Sequence, residues 1–190
     1  KSFNEIGKSA GYSEYNDKGS LKKFTPGNFI LGFGRINKRP VVIGGEDFSL
    51  KGGSPNAAGL RKSIYTEELA LKYKVPLIRL HEGAGGSVGG TNQEKTTRPS
   101  SDAVYTPSRF ISLANTLGEV PVATAALGPV AGLPASRLVA SHFSVMTESS
   151  LVLIAGPKVV KRALNMEITK EALGGPEVHL KSGVINNFAK

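Results

Sequence analysis

The sequence predicts an α/β fold with parallel strands, on three observations. A hairpin and a capped helix follow one another between residues 28 and 74, and two later segments repeat one helix, strand, helix plan; each repeat also places glycines where its strand meets the next helix. The hairpin is "NFILGFGRI", a turn through Asn37 and Lys38, and "PVVIGGEDF". Ser54 then offers an N-cap with Pro55 at the first helical position, and Ala57, Leu60, Ile64 and Leu71 fall on one face of a helix reaching about Lys74. The order is β-β-α.

"VPLIRL" at 75–80 reads as a short apolar strand, followed by the glycine-rich "EGAGGSVGG" and by the polar "TNQEKTTRPSSD", a long loop or lid. Thr106 and Pro107 start a second helix ended by Gly118; "VPVATAAL" is the next buried strand, and "GPVAGLPAS" at 128–136 turns into a helix of small residues. Strands at 143–147 and 151–154 follow, then Gly156-Pro157 opens "KVVKRAL", Thr169 caps "KEALGG", and the chain ends extended. "KVPLIRL…EGAGG" and "EVPVATAAL…GPVAGLPAS" therefore share one plan. Ligands in such sheets bind beyond the carboxyl ends of the strands, where helix amino termini present free N–H groups.

The 190 residues suffice for one domain with a real core, and 39% apolar with 21% charged residues is a globular composition. No apolar stretch approaches the ~20 residues of a membrane helix, so no membrane partner is expected. With zero cysteines there is no disulfide, thiolate nucleophile or cysteine metal site, which fits a reducing compartment such as cytoplasm or mitochondrial matrix. The amino terminus has no initiating Met and no signal-like segment, and the chain stops in "GVINNFAK" without closing signals. A portion of a longer polypeptide is expected, with residues 1–27 a partly flexible extension and 28–190 the domain.

The net charge of +9 calls for an anionic partner, but its lysines and arginines are dispersed, and there is no RNP-like aromatic pattern, zinc-finger spacing or basic helix. That favours phosphates on a small ligand over nucleic acid.

Several motifs compete for the chemistry. "GGSVG" at 85–89 matches a Gly-x-Ser-x-Gly nucleophile elbow around Ser87, but "GTNQEKTT" after it is a poor helix and His142 and His179 have no triad context. "GFGRIN" at 32–37 lacks the third glycine of a dinucleotide fingerprint. His81-Glu82 begins like a zinc-binding helix, but Gly85 stands where the second histidine belongs. Glu82 could be a general base, or a carboxylate that caps the N–H groups of the glycine loop. Strand ends this rich in glycine and poor in histidine suit chemistry done by the backbone. Two N–H groups at a glycine turn opening a helix can hold an oxyanion such as a thioester enolate, and "AGL" at 131–133 has that form; a plain strand-to-helix turn is the alternative.

Three stretches carry a family resemblance: "GRINKRPVVIGGEDFSLKGGSPNAAG", "ALGPVAGLPAS" and "LIAGPKVVKRALNMEITKEALGGPEVHLKSGV". Across residues 28–188 they resemble the carboxyltransferase (beta) subunits of biotin-dependent acyl-CoA carboxylases, of the propionyl-CoA and methylcrotonyl-CoA type, in their amino-terminal half. The resemblance implies a ClpP/crotonase-like fold of repeated β-β-α units. It implies carboxyl transfer from carboxybiotin, on a biotin carboxylase or biotin carrier partner, to the α- or vinylogous carbon of an acyl-CoA, in a homo- or hetero-oligomer. By position the enolate-holding backbone falls on Gly132 and Leu133, and substrate would be bound by Phe48, Lys51, Gly52, Gly53, Gly85, Gly86 and Ala131. Leu133 stands where the family has a second glycine, Pro134 follows it, and "EGAGGS" at 82–87 departs from the family's Asp-Ser-Gly-Gly-Ala-Arg turn. A catalytically impaired scaffold paralogue and an acyl-CoA decarboxylase subunit are the variants this leaves open.

Overall fold

The computed structural model describes residues 3–85 and 109–190. Strand β1 (Phe3–Ile6) lies antiparallel to β4 (Phe29–Ile36), and between them β2 (Gly11–Tyr15) and β3 (Leu21–Pro26) form a separate two-stranded sheet. The extension thus contributes an edge strand to the main sheet. β4 pairs antiparallel with β5 (Arg39–Glu46) through Asn37 and Lys38, both at positive φ (48° and 68°), the tight mirror-image turn suited to a twisted hairpin.

Helix α1 (Ala57–Tyr73) begins later than the Ser54-Pro55 signal suggested, since its cap is Asn56, whose side chain accepts from the Gly59 N–H at 2.7 Å. The reason is Asn28, 2% exposed, which donates from Nδ2 to the carbonyls of Leu50 and Ser54 and accepts the Asn56 N–H on Oδ1 at 3.0 Å. Those bonds hold residues 50–56 as a loop. Lys74, left-handed at φ 50°, ends the helix as expected.

From β5 the sheet continues parallel through β6 (Leu77–Gly83), β7 (Val122–Ala131), β8 (Phe143–Thr147) and β10 (Asn187–Ala189). Helix α2 (Arg109–Glu119) leads into β7 and runs one residue past Gly118. β7 is longer than "VPVATAAL". It continues through Gly128 and Pro129 to Ala131, because β9 (Leu151–Leu153) pairs with its last three residues. "GPVAGLPAS" is therefore half strand, and its turn is confined to Gly132. Helix α3 (Leu133–Val139) follows, and α4 (Pro157–Leu164), α5 (Lys170–Gly174, capped by Thr169) and α6 (Pro176–Lys181) complete the described chain.

Two apolar cores result. Phe29, Leu31, Val42, Leu69, Ala70, Leu77, Val120 and Val122 form one beneath α1, and Ala126, Val130, Ala135, Leu138, Met146, Val152 and Ile185 form the other around α3. Polar side chains lie buried as well: α1 turns Ser63, Thr66 and Glu67 inward and leaves Ala57 exposed, so its buried face is not the apolar stripe the sequence suggested. β6 does the same by alternation. Leu77, Arg79 and His81 share its buried face, whereas Leu80 is 37% exposed.

Candidate active site at three backbone segments

Three segments meet beyond the carboxyl ends of β5, β6 and β7, packed too closely for side chains to intervene. The first is 51–53, where Lys51, Gly52 and Gly53 are all left-handed, at φ 55°, 59° and 69°. A Cβ on Gly53 would sit 2.4 Å from the Glu82 carbonyl oxygen, and the Ala84 N–H donates to the Gly52 carbonyl at 2.9 Å. The second segment is therefore 82–85. Its Gly85, at φ 71°, rests on the third: a Cβ there would meet the Ala131 carbonyl oxygen at 2.5 Å.

The third segment opens α3. Gly132 has φ 65° and ψ −128°, a conformation reserved for glycine. Its N–H donates to the Leu153 carbonyl at 3.3 Å, a long bond. Leu133 is the first helical residue, so its N–H has no partner within the helix, and Pro134 has no N–H to offer. The Gly132 carbonyl accepts from the N–H of Ser136 at 3.0 Å and its hydroxyl at 3.3 Å, which fixes the turn from below.

Of the substrate-binding residues named from the sequence, Lys51, Gly52 and Gly53 form the first segment with the Phe48 ring beside Gly52, Gly85 lies on the second and Ala131 on the third; Gly86 lies outside the described residues, as do Ser87 and the stretch 91–102. Glu82 does not reach into this junction as a base. Its side chain lies over Gly128, where a Cβ would meet Oε1 at 2.5 Å, while its own N–H donates to Glu46 at 3.3 Å. Leu133 and Pro134 face Gly53, Pro55 and Leu60 across a cavity of about 20 Å³, room for little more than a water molecule.

Beneath the junction lies a buried ionic cluster that the sequence did not signal. Glu67 of α1, fully buried, accepts on Oε1 from Arg79 Nη2 of β6 at 2.5 Å and from Arg137 Nε of α3 at 3.0 Å. Arg79 also donates to the Ser63 carbonyl at 3.1 Å and hydroxyl at 3.3 Å. Burial and the neighbouring Arg137 charge bring the Arg79 pKa down to about 10, against the opposing pull of Glu67 and Glu46, so it stays charged at neutral pH. Two residues further along the same face of β6, His81 Nδ1 lies 3.1 Å from Glu46. Burial holds the His81 pKa below its usual value although Glu46 opposes it, so the ring is neutral and donates from Nδ1. Burial works against the Glu46 carboxylate too, but the hydrogen bond and charge of His81, with Arg79, outweigh it and keep that pKa low. Among the described residues no group of three His, Cys, Asp or Glu is arranged to hold a metal.

Comparison with known proteins decides the family. The model of the carboxyl transferase domain family matches residues 1–190. The chain belongs to the carboxyl transferase domain family. Over 174 residues this carboxyl transferase domain is 29% identical to methylmalonyl-CoA decarboxylase subunit alpha of Veillonella parvula, covering 90% of the chain and 32% of that protein. It is 31% identical over 158 residues to the human mitochondrial propionyl-CoA carboxylase beta chain, covering 83% of the chain and 28% of the relative. Among solved structures, the transcarboxylase 12S hexamer with methylmalonyl-coenzyme A bound superimposes at a TM-score of 0.77 with 26% identity, covering 100% of this chain and 36% of that one. The domain spans about a third of the length of these relatives. Its architecture is that of the crotonase-like carboxyltransferases, as the resemblance in sequence implied.

Proposed function

We propose that the chain is the acyl-CoA half of a carboxyltransferase site, in which the backbone at Gly132 and Leu133 holds the thioester enolate. The observation that carries this is the junction of 51–53, 82–85 and 131–133, a ligand-approachable surface made of main chain at the start of a helix. Leu133 supplies its N–H outright, Gly132 shares its long Leu153 bond, and the positive end of α3 adds to both. Each such donor is worth about 3 kcal/mol of barrier. Phe48 and Lys51 flank the approach, where the ammonium would meet a CoA phosphate.

The nearby titratable groups fit a reaction whose base comes from the co-substrate. His81 and Glu46 are turned to each other in the interior, and Glu82 lies against Gly128. Carboxybiotin, held by a carrier partner, supplies the carboxyl group and then the proton acceptor. This chain's part is to bind the ester, orient its α-carbon (or vinylogous carbon) and stabilise oxygen charge as the proton leaves. Partners would be a biotin carboxylase or carrier subunit and further carboxyltransferase subunits. The face around α4, with Ile154 92% exposed and Val159, Leu164 and Met166 also outward, suits an oligomer better than a monomer in water. Among the described residues no helix is long and apolar enough to cross a membrane. A mitochondrial location would match the mitochondrial relatives, with the cytoplasm as the alternative.

The test supplies the complete polypeptide with its carboxylase and carrier partners and follows bicarbonate incorporation into short and branched acyl-CoAs. Biotin-dependent carboxylation is expected. No turnover with any ester, together with no CoA-ester binding by calorimetry, overturns the reading.

A further inference from the structure

We infer that Glu67 and Arg137 are positioning residues that set the backbone turn at Gly132 and Leu133, with Arg79 bracing Glu67 from β6. Glu67 Oε1 is the shared acceptor of the two arginines, and the three residues come from α1, β6 and α3, all buried at 2% exposure or less. Arg137 lies one turn along α3 from Leu133, so its bond to Glu67 fixes the height and rotation of the helix whose first N–H faces the ester. β6 is held at its other end by Glu46, which accepts from both His81 Nδ1 and the Glu82 N–H. Buried carboxylates therefore tie down both the 82–85 and the 132–133 segments, and Arg79, between them on β6, faces Glu67. Glu67 reaches the junction only through Arg137, whereas Glu46 meets it at the Glu82 N–H. A tether of this kind acts on the geometry of the transition-state contacts and little on ground-state binding of the CoA ester, whose handles lie at 48–53.

The inference rests on the enolate reading above. The complete polypeptide with its carboxylase and carrier partners is assayed with propionyl-CoA, comparing wild type with Glu67→Gln, Arg137→Lys and Arg137→Met. Glu67→Gln and Arg137→Met should lower kcat about 10- to 100-fold while KM for propionyl-CoA stays within about threefold. Arg137→Lys, which can still reach Glu67 with one donor, should recover part of that loss. Unchanged kcat in both variants, or a rise in KM alone, overturns the inference. Should a single variant not fold, the triple change Glu67→Met, Arg79→Met and Arg137→Met removes every buried charge of the triad at once, a replacement that commonly preserves stability. A folded triple variant with full kcat overturns the inference, and one with wild-type KM and depressed kcat supports it. A wild type that neither turns over nor binds the ester removes the enolate reading and this inference with it.

Discussion

Gly85 lies directly on Ala131: a single methyl added at residue 85 would stand 2.5 Å from the Ala131 carbonyl oxygen. Two glycine turns that are far apart in sequence thus share one contact surface, and the left-handed Gly85 (φ 71°) is needed there twice, for its conformation and for its missing side chain. Gly85→Ala should destabilise the folded chain by about 1–3 kcal/mol and push Ala131 and Gly132 away from β6. Urea unfolding measures the first effect and kcat of the assembled enzyme the second. A variant with wild-type stability and kcat would show that the turns are not in register as described.

Leu133 should act as an acyl-size filter. With Pro134 it faces Gly53, Pro55 and Leu60 across only about 20 Å³, so a branched or longer acyl chain has no room there. Leu133→Ala keeps the backbone N–H and opens the cleft. Bulkier acyl-CoAs should gain about 10-fold in kcat/KM relative to the smallest substrate, the order expected for a methylene or two of pocket volume. An unaltered substrate ratio would place the acyl chain elsewhere.

Much of this frame was legible in the sequence, and the unread part has one physical cause. Asn37-Lys38 between alternating runs announced the hairpin, Thr169 announced α5, and the glycines at 52, 53, 85 and 132 marked places where backbone meets backbone. What escaped was the direction in which polar residues point. "VPLIRL" looked like an apolar strand, yet Arg79 and, just after it, His81 are buried while Leu80 faces out, because Glu67 of α1 awaits the arginine and Glu46 of β5 the histidine. Periodicity counts apolar residues and cannot see a buried partner supplied by another element. Likewise, the bond from Gly132 to Leu153 depends on β9 pairing with the end of β7, a long-range contact with no local signature.

Lys51 joins two requirements in conflict. Its φ of 55° favours glycine, as at the two residues after it, yet a cation at the cleft edge serves a phosphate-bearing ester. Lys51→Gly should therefore leave stability within about 1 kcal/mol of wild type while raising KM for acyl-CoA several-fold at low salt, an effect that shrinks as ionic strength rises. Identical KM values at low salt would remove Lys51 from the binding role.

Acid should unfold this domain in two stages. His81 is held below its ordinary pKa in the folded chain, chiefly by burial, so the unfolded imidazole, titrating near ~6.5, takes up a proton first as pH falls. In that window the unfolded state binds more protons, and stability therefore drops with falling pH by up to about 1.4 kcal/mol per unit. Glu46 follows the same sign at lower pH. Its folded pKa is depressed, so its contribution is whole above the unfolded carboxyl pKa of about 4.3 and is lost as pH falls through the folded value. Urea midpoints measured from pH 7.5 down to pH 4 should decline in two steps. His81→Gln should erase the upper step while the lower one persists, because a glutamine side chain occupies the Glu46 contact without titrating. An upper step that survives His81→Gln would assign it to another group and show that His81 titrates alike in both states.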